Sequence, residues 1–129
     1  MSYKMANVIT IDGLASSGKT SISRKLSKKL GYYFLDSGIL YRAVAYICLT
    51  ESLDQDTNLL IANLKNNLEV VSDKKKHYTV NYKGNDLSDY LYNEEIGVHA
   101  SIVSQKPEIR EYLMRLQHNC VEPPGLCLL

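Results

Sequence analysis

The feature that most constrains this chain is a glycine-rich loop between an apolar segment and an amphipathic one. Residues Gly13–Thr20, GLASSGKT, match the pattern G-x-x-x-x-G-K-[ST]. They follow the β-branched run Asn7–Asp12, which predicts a short buried strand, and they open Lys19–Leu30, which predicts a helix. A strand, this loop and a helix, in that order, are the setting in which the pattern binds nucleotide phosphates.

Each residue type in the loop suits that chemistry. Glycines let backbone N–H groups converge on phosphate oxygens, and the helix N-terminus adds partial positive charge. We expect Lys19 to reach the β- and γ-phosphates and the Thr20 hydroxyl to ligate Mg²⁺. The alternative is a Gly/Ser-rich turn before a surface helix with a solvated lysine. The strand–loop–helix context favours the phosphate site.

The first fifty residues predict a parallel sheet. The first helix has apolar residues at every fourth position, Ile22, Leu26 and Leu30, and these would form its core face. Tyr32–Leu35 predicts a second short strand, and Ile39–Cys48 a second amphipathic helix. This order of elements is typical of a parallel α/β sheet.

The spacing of apolar residues changes in the middle of the chain. Leu68–Ser72 and His77–Tyr82 predict strands, and polar and apolar residues alternate along the second, so we expect a small antiparallel insert over residues 67–90, outside the main sheet. As domains, we expect a loop-bearing core over 1–48, the insert over about 55–90, and helices with the start of a core strand over 91–129. The remaining helices and the last strand are predicted at Thr57–Asn66, Asn93–Ser104, Pro107–Asn119 and Leu126–Leu129.

Composition excludes several classes of function. Fifteen basic and fourteen acidic residues give a formal net charge of +1, which offers no electrostatic case for nucleic acid or a membrane as the main partner. No run approaches the roughly 20 apolar residues of a membrane span, and we expect no signal peptide. The three cysteines contain no C-x-x-C pair, so we expect reduced thiols in a cytoplasmic protein.

A second polar cluster, Asp36-Ser37-Gly38-x-x-Tyr41-Arg42, follows the second predicted strand. Ligands of open α/β sheets bind at the carboxyl ends of the strands. Arg42 could therefore clamp a second phosphate with its planar fork. The other interpretation makes Ser37 only a helix N-cap and Arg42 only a surface charge. For an isolated motif that interpretation is favoured, whereas the neighbouring phosphate loop favours the clamp.

These segments together resemble the bacterial cytidylate kinases. The resemblance covers essentially the whole chain and rests on Ile9–Gly13, the loop Gly13–Thr20, Leu35–Ala45, Asp86–Ser88, Ile96–Ser101, Pro107–Arg110 and Pro124–Leu126. It implies a P-loop fold of the nucleoside-monophosphate kinase type, a parallel α/β sheet with a small antiparallel insert. It also implies transfer of the γ-phosphoryl group of ATP to CMP or dCMP with Mg²⁺.

The resemblance also implies roles for particular residues. Lys19 and Arg42 would be catalytic, Thr20 would ligate Mg²⁺, and Arg42 would hold the CMP phosphate. Ser37, Ser101 and Arg110 would recognise cytosine, whose N3 and O2 acceptors and N4 donor suit a hydroxyl and an arginine. Without the family, Ser101 would be taken as a polar helix residue and Arg110 as a solvated charge. ATP would be bound by Gly13, Leu14, Ala15, Ser16, Ser17, Gly18, Lys19 and Thr20.

Two departures from the family pattern shape our expectations. The Gly-Arg-Asp segment and the arginine-rich lid that follow in the family do not occur in this sequence. We therefore expect an incomplete fold, poor folding of the chain by itself and no turnover of CMP, with a monomer at full length. A non-catalytic nucleotide-binding remnant and a P-loop kinase for another small substrate stay open. A GTPase is disfavoured because no N-K-x-D or D-x-x-G motif occurs.

Overall fold

The computed structural model describes residues 6–11, 18–53 and 55–129, except for the side chain of Lys19. Five α-helices, six strands and one 3₁₀ turn lie in these ranges. In chain order they are β1 Asn7–Thr10, α1 Lys19–Leu30, β2 Tyr33–Leu35, α2 Gly38–Glu51, α3 Thr57–Asn67, β3 Leu68–Ser72, β4 Tyr78–Tyr82, β5 Asn85–Asp86, the 3₁₀ turn Ser88–Tyr90, α4 Glu94–Val103, α5 Pro107–Asn119 and β6 Gly125–Leu128.

The first sheet is parallel, with strand order β1-β6-β2, which confirms the predicted α/β class. Strand β6 lies in its centre, with Cys127 opposite Ile9 on one side and Phe34 on the other. The apolar run at 126–129 is thus a buried parallel strand, as predicted. Gly125 opens this strand because a Cβ there would lie 2.5 Å from the Tyr32 ring and 2.8 Å from the Asn7 carbonyl oxygen.

Strand β1 is not the buried strand that its sequence predicts. Val8 is 47% exposed, and Asn7 and Thr10 are exposed as well. The reason is its position: β1 pairs with β6 on one side, and no other strand in the described ranges pairs with it. An edge strand with one open side leaves even β-branched residues in contact with water.

The second sheet is antiparallel, with order β3-β4-β5, and confirms the period-2 pattern of the insert. Val70 lies opposite Val80, and Val80 and Tyr82 face the core. The insert contacts the parallel sheet at the bridge between Phe34 and His77 and through the stacked rings of Tyr33 and Tyr78. The division of the chain into domains stays a prediction.

The core is built around α2. Its apolar stripe, Leu40, Ala43, Val44 and Ile47, is fully buried, as expected for the predicted amphipathic helix. The helix packs against α4 on one side and β4 on another. Helix α5 contributes Ile109, Tyr112 and Leu113 to the same core, and Leu116 packs against this core partly buried.

Helix α1 packs differently from the prediction. Ile22 is 59% exposed and Leu30 is exposed too, whereas Ser23 and Ser27 are fully buried. The helix lies against β6 and β2, and its serines are small enough for close contact with the sheet. The apolar residues at 22, 26 and 30 each lie one position from this buried serine face along the chain. One position is about 100° around the helix, so the apolar stripe turns away from the described core.

None of the helices in the described ranges is long and apolar enough to cross a membrane.

Candidate functional site

The carboxyl ends of the parallel strands meet at one edge, where Ser37 joins β2 to β6. Its backbone N–H donates to the Leu129 carbonyl oxygen at 2.9 Å, and its hydroxyl donates to the same oxygen at 2.7 Å. Ser37 occupies the N-cap position of α2 without a side-chain capping bond. Asp36 takes that function instead, because its Oδ1 accepts from the Gly38 N–H at 3.0 Å. The N-cap interpretation of the Ser37 side chain is therefore wrong.

The start of α1 is the described part of the predicted phosphate loop. Gly18 is its N-cap, with φ of 76°, a left-handed conformation that favours glycine. A glycine cap has no side chain to occupy the first-turn N–H groups, and the first turn contains no acidic residue. The helix start therefore suits an anion. Thr20 is exposed in this turn. Residues 13–17 and the Lys19 side chain lie outside the described part of the chain.

Arg42, one turn after the start of α2, is held by the segment that precedes α4. Its Nη1 donates to the Leu91 carbonyl oxygen at 2.9 Å. The guanidinium lies over the Tyr92 ring, 5.4 Å from its centre. On α4, a Cβ at Gly97 would lie 3.4 Å from Nη2 and 3.5 Å from Nη1, so the guanidinium rests close to that backbone. Arg42 thus has a defined position between α2 and α4.

The guanidinium faces an open cleft of about 450 Å³ between α2 and α4, which we call the Arg42 cleft. Its volume falls within the roughly 300–1,000 Å³ of small-molecule sites. The cleft contains one cation, Arg42, and one carboxylate, Glu94, so an anion would be attracted to the Arg42 side. Its lining residues are Arg42, Tyr92, Asn93, Glu94, Gly97, Val98 and Ser101.

The predicted cytosine readers do not all lie together. Ser101 lines the Arg42 cleft, and its hydroxyl makes only a 3.3 Å bond to the Gly97 carbonyl oxygen of its own helix. Ser37 lies at the strand edge. Arg110 is exposed near the start of α5 and does not line the Arg42 cleft. The structure therefore brings Arg42 and Ser101 to one cleft and places Arg110 elsewhere.

Tyr92 and Gly97 belong to the cleft and were not found by sequence reasoning. Tyr92 is 66% exposed and covers one face of the guanidinium. Desolvation raises the pKa of Tyr92, and the nearby Asp36 carboxylate raises it further, while the Arg42 guanidinium acts in the opposite direction. No local pattern signals either residue, because Tyr92 and Gly97 lie 50 and 55 positions after Arg42 in the sequence.

The Asp86-Leu87-Ser88 segment forms a turn beside the insert. Asp86 Oδ1 accepts from the Ser88 N–H at 2.8 Å and from the Ser88 hydroxyl at 2.6 Å. These bonds hold the pKa of Asp86 below its usual range, the hydroxyl bond contributing most. The carboxylate is thereby engaged within the turn, which positions the chain that leads to Tyr92.

The described ranges contain no group of three or more His, Cys, Asp or Glu side chains that could hold a metal ion. The exposed Thr20 at the helix start is the described residue whose chemistry fits a Mg²⁺ ion shared with phosphate oxygens.

Comparison with known proteins decides the family. The family model described as cytidylate kinase matches residues 9–128. This chain belongs to the cytidylate kinase family. Curated relatives named cytidylate kinase include one from Bdellovibrio bacteriovorus, 38% identical over 95% of this chain and 57% of its own length. Another, from Azotobacter vinelandii, is 38% identical over 92% of this chain and 53% of its own length.

A third relative, from Pseudomonas fluorescens, is 39% identical over 94% of this chain and 54% of its own length. The chain therefore spans about half the length of the curated relatives that it matches. The resemblance drawn from the residues is confirmed at the level of the family.

Proposed function

We propose that this chain carries the nucleotide-binding part of an enzyme that transfers the γ-phosphoryl group of ATP to CMP or dCMP. The observation that carries the proposal is Arg42, whose guanidinium is fixed by Leu91, the Tyr92 ring and the Gly97 backbone and faces a cleft of small-molecule size. Membership in the cytidylate kinase family supports the identity of the substrate.

In this proposal Arg42 holds the phosphate of CMP. A guanidinium has five N–H donors in a planar fork, and the contact with Leu91 uses Nη1. The remaining donors match two oxygens of a phosphate. Because the Tyr92 ring and the Gly97 backbone restrict the guanidinium, little side-chain entropy is lost on binding. Arg42 would thus align the CMP phosphate as the nucleophile.

The phosphate loop would hold ATP at the start of α1. The first-turn N–H groups and Lys19 would bind the phosphates, and the Thr20 hydroxyl would help to hold Mg²⁺. The ion would neutralise charge on the phosphate oxygens. Phosphoryl transfer demands little covalent chemistry from the protein, so catalysis would rest on alignment of the two nucleotides and on charge neutralisation.

The base would be read by the serines and by Arg110. Ser101 faces the Arg42 cleft and can donate its hydroxyl by releasing the long bond to Gly97. The Ser37 hydroxyl proton is used by Leu129, so Ser37 would act on the ligand as an acceptor or through release of that bond. Arg110 would have to reach the base from α5, which makes it the most demanding of these assignments.

We also propose a cytoplasmic location. Cys48, Cys120 and Cys127 are buried and form no disulfide in the described part of the chain, which suits a reducing compartment.

The experiment measures binding and turnover separately. CMP, dCMP and UMP are titrated calorimetrically into the chain, and CDP formation with ATP and Mg²⁺ is then measured. A second protein, extended by the C-terminal part of a relative, is measured in parallel. We expect binding of cytosine nucleotides to both proteins and turnover by the extended one. Arg110→Ala should raise the KM for CMP much more than that for ATP.

The second candidate is a non-catalytic nucleotide-binding protein, favoured by the engagement of the Ser37 hydroxyl with Leu129. It is supported if CMP binds but the extended protein produces no CDP. Absence of CMP binding by both proteins contradicts both candidates.

A further inference from the structure

A second cleft lies between α1 and the turn that joins β3 to β4. Its volume is about 350 Å³, again in the range of small-molecule sites. We call it the basic cleft, because four of its lining residues are cations and the fifth is a histidine. They are Arg24, Lys25, Lys28, Lys75 and His77.

The two walls of the basic cleft are held in a defined relation. The Phe34 N–H of β2 donates to the Lys76 carbonyl oxygen at 2.8 Å, and the Phe34 and His77 rings contact edge to face. Lys76 Nζ donates to the Gly31 carbonyl oxygen, at the end of α1, at 3.0 Å. Arg24 lies over the Phe34 ring, 5.8 Å from its centre. These contacts fix the turn against the helix.

The shape of the turn itself depends on Asp73. Its Oδ1 accepts from the backbone N–H groups of Lys75 and His77, at 2.8 Å and 3.0 Å. The Asp73 carboxylate is thus hydrogen-bonded to the backbone of its own turn. Lys75 and His77 are presented to the cleft on a closed turn.

The concentration of charge is unusual for this chain. The whole protein has a formal net charge of +1, yet four cations from two separate elements line one cleft. The ion pairs between Glu51 and Lys83 and between Glu111 and Arg115 lie elsewhere. Like charges at i and i+4, such as Arg24 and Lys28, destabilise a helix. An anion in the cleft would relieve this repulsion.

We propose that the basic cleft binds a small anion with two or more phosphate groups. Arg24 supplies a fork for one phosphate, and the lysines supply point charges for a second. The cleft shares no described lining residue with the Arg42 cleft, and none of the five belongs to the predicted phosphate loop. It is therefore a phosphate site distinct from the Arg42 cleft, although Arg24 and His77 also line a neighbouring cavity of about 260 Å³ with Asp36 and Tyr92.

The test uses inorganic pyrophosphate on the full chain with Lys19→Ala, so that the predicted phosphate loop contributes little. Lys28→Ala on α1 and Lys75→Ala on the turn are added one at a time. Lys29→Ala is the matched control, because Lys29 is exposed on the same helix but does not line the cleft. All three lysines are exposed, so the substitutions should leave the fold intact, which circular dichroism checks.

We expect Lys28→Ala and Lys75→Ala each to weaken pyrophosphate binding roughly 10-fold or more, the loss typical of a charged contact. Lys29→Ala should change it less than twofold. Orthophosphate should bind more weakly than pyrophosphate, and ATP shows whether a nucleotide can be the source of the phosphates. The proposal is overturned if pyrophosphate does not bind, if the three variants bind it equally, or if orthophosphate binds as tightly.

Discussion

Helices α1 and α2 occupy equivalent places in the chain, each following a strand of the parallel sheet, but they differ in what surrounds them. Helix α2 lies between α4 and the insert and buries its whole apolar stripe. Helix α1 contacts the sheet through two serines and exposes Ile22 and Leu30. Periodicity in the sequence therefore shows which residues share a helix face, whereas the neighbouring elements decide which face is buried.

The same difference separates the two proposed phosphate sites. Arg42 stands on the enclosed helix, and groups from α4 and the segment before it restrict its guanidinium. The basic cleft lies against α1, where the side chains of Lys25 and Lys28 are exposed to solvent. We therefore expect the Arg42 cleft to be selective and the basic cleft to respond mainly to charge.

The largest expected effect tests the two helices directly. Ile47 on α2 is fully buried and Ile22 on α1 is 59% exposed, so the same substitution can be made in both. Ile47→Ala should lower the free energy of unfolding by about 2–5 kcal/mol, and Ile22→Ala by about 0.5 kcal/mol or less. Urea unfolding measures both. Equal losses would show that the α1 stripe is covered in solution, and sedimentation would then identify self-association.

The second prediction concerns the cation of the Arg42 cleft. Arg42→Ala should weaken CMP binding by about 1.5–3 kcal/mol, or roughly 10–150-fold, because a charged donor to the phosphate is lost. Arg115→Ala is the control, since Arg115 pairs with Glu111 on the exposed face of α5. Calorimetric titration with CMP gives the affinities. If both substitutions weaken CMP binding alike, phosphate binding is not assigned to Arg42.

A third prediction uses pH. Burial, assisted by the Glu122 carboxylate, raises the pKa of Cys120 to about 11. Between the ordinary pKa and this value the unfolded chain loses the thiol proton before the folded chain does, so stability falls as pH rises. From pH 8.5 to 10.5 the free energy of unfolding should drop by roughly 2 kcal/mol through this group.

The control for this prediction is Cys120→Ala. This substitution should remove the part of the pH-dependent fall in the free energy of unfolding that is assigned to Cys120. Tyrosines contribute to the remaining slope, since burial raises the pKa of Tyr78 and Tyr112 as well. A pH profile unchanged by Cys120→Ala would contradict the assignment of the decline to Cys120.

The smallest effect tests the contact between α4 and Arg42. A Cβ at Gly97 would meet the guanidinium at 3.4 Å, an ordinary contact distance, so Gly97→Ala should be accommodated. It should stabilise the helix by about 0.5–1 kcal/mol and leave CMP binding unchanged. Gly97→Leu should displace the guanidinium and weaken CMP binding. Unchanged CMP affinity in Gly97→Leu would show that Arg42 does not depend on this contact.

Much of the local structure was predictable from the sequence. Pro107 at the start of α5, Gly31 at the end of α1 and the alternation in β4 all mark element boundaries within a residue or two of those observed. These signals are local, because capping, turns and hydrogen-bond periodicity depend on neighbours along the chain. The family, too, could be inferred from short segments such as Leu35–Ala45, and comparison confirmed it.

The sequence by itself therefore determined the α/β class, the order of elements, the core face of α2 and the candidate residues Gly18, Thr20, Arg42 and Ser101. The packing of the elements was needed to show that β6 lies between β1 and β2 and that α1 buries its serines. It was also needed to show that the Tyr92 ring covers Arg42. The bond from Arg42 to Leu91 joins residues 49 positions apart, a contact on which local periodicity has no bearing. Such contacts follow from how whole elements pack, because each element covers whichever face its neighbours leave exposed.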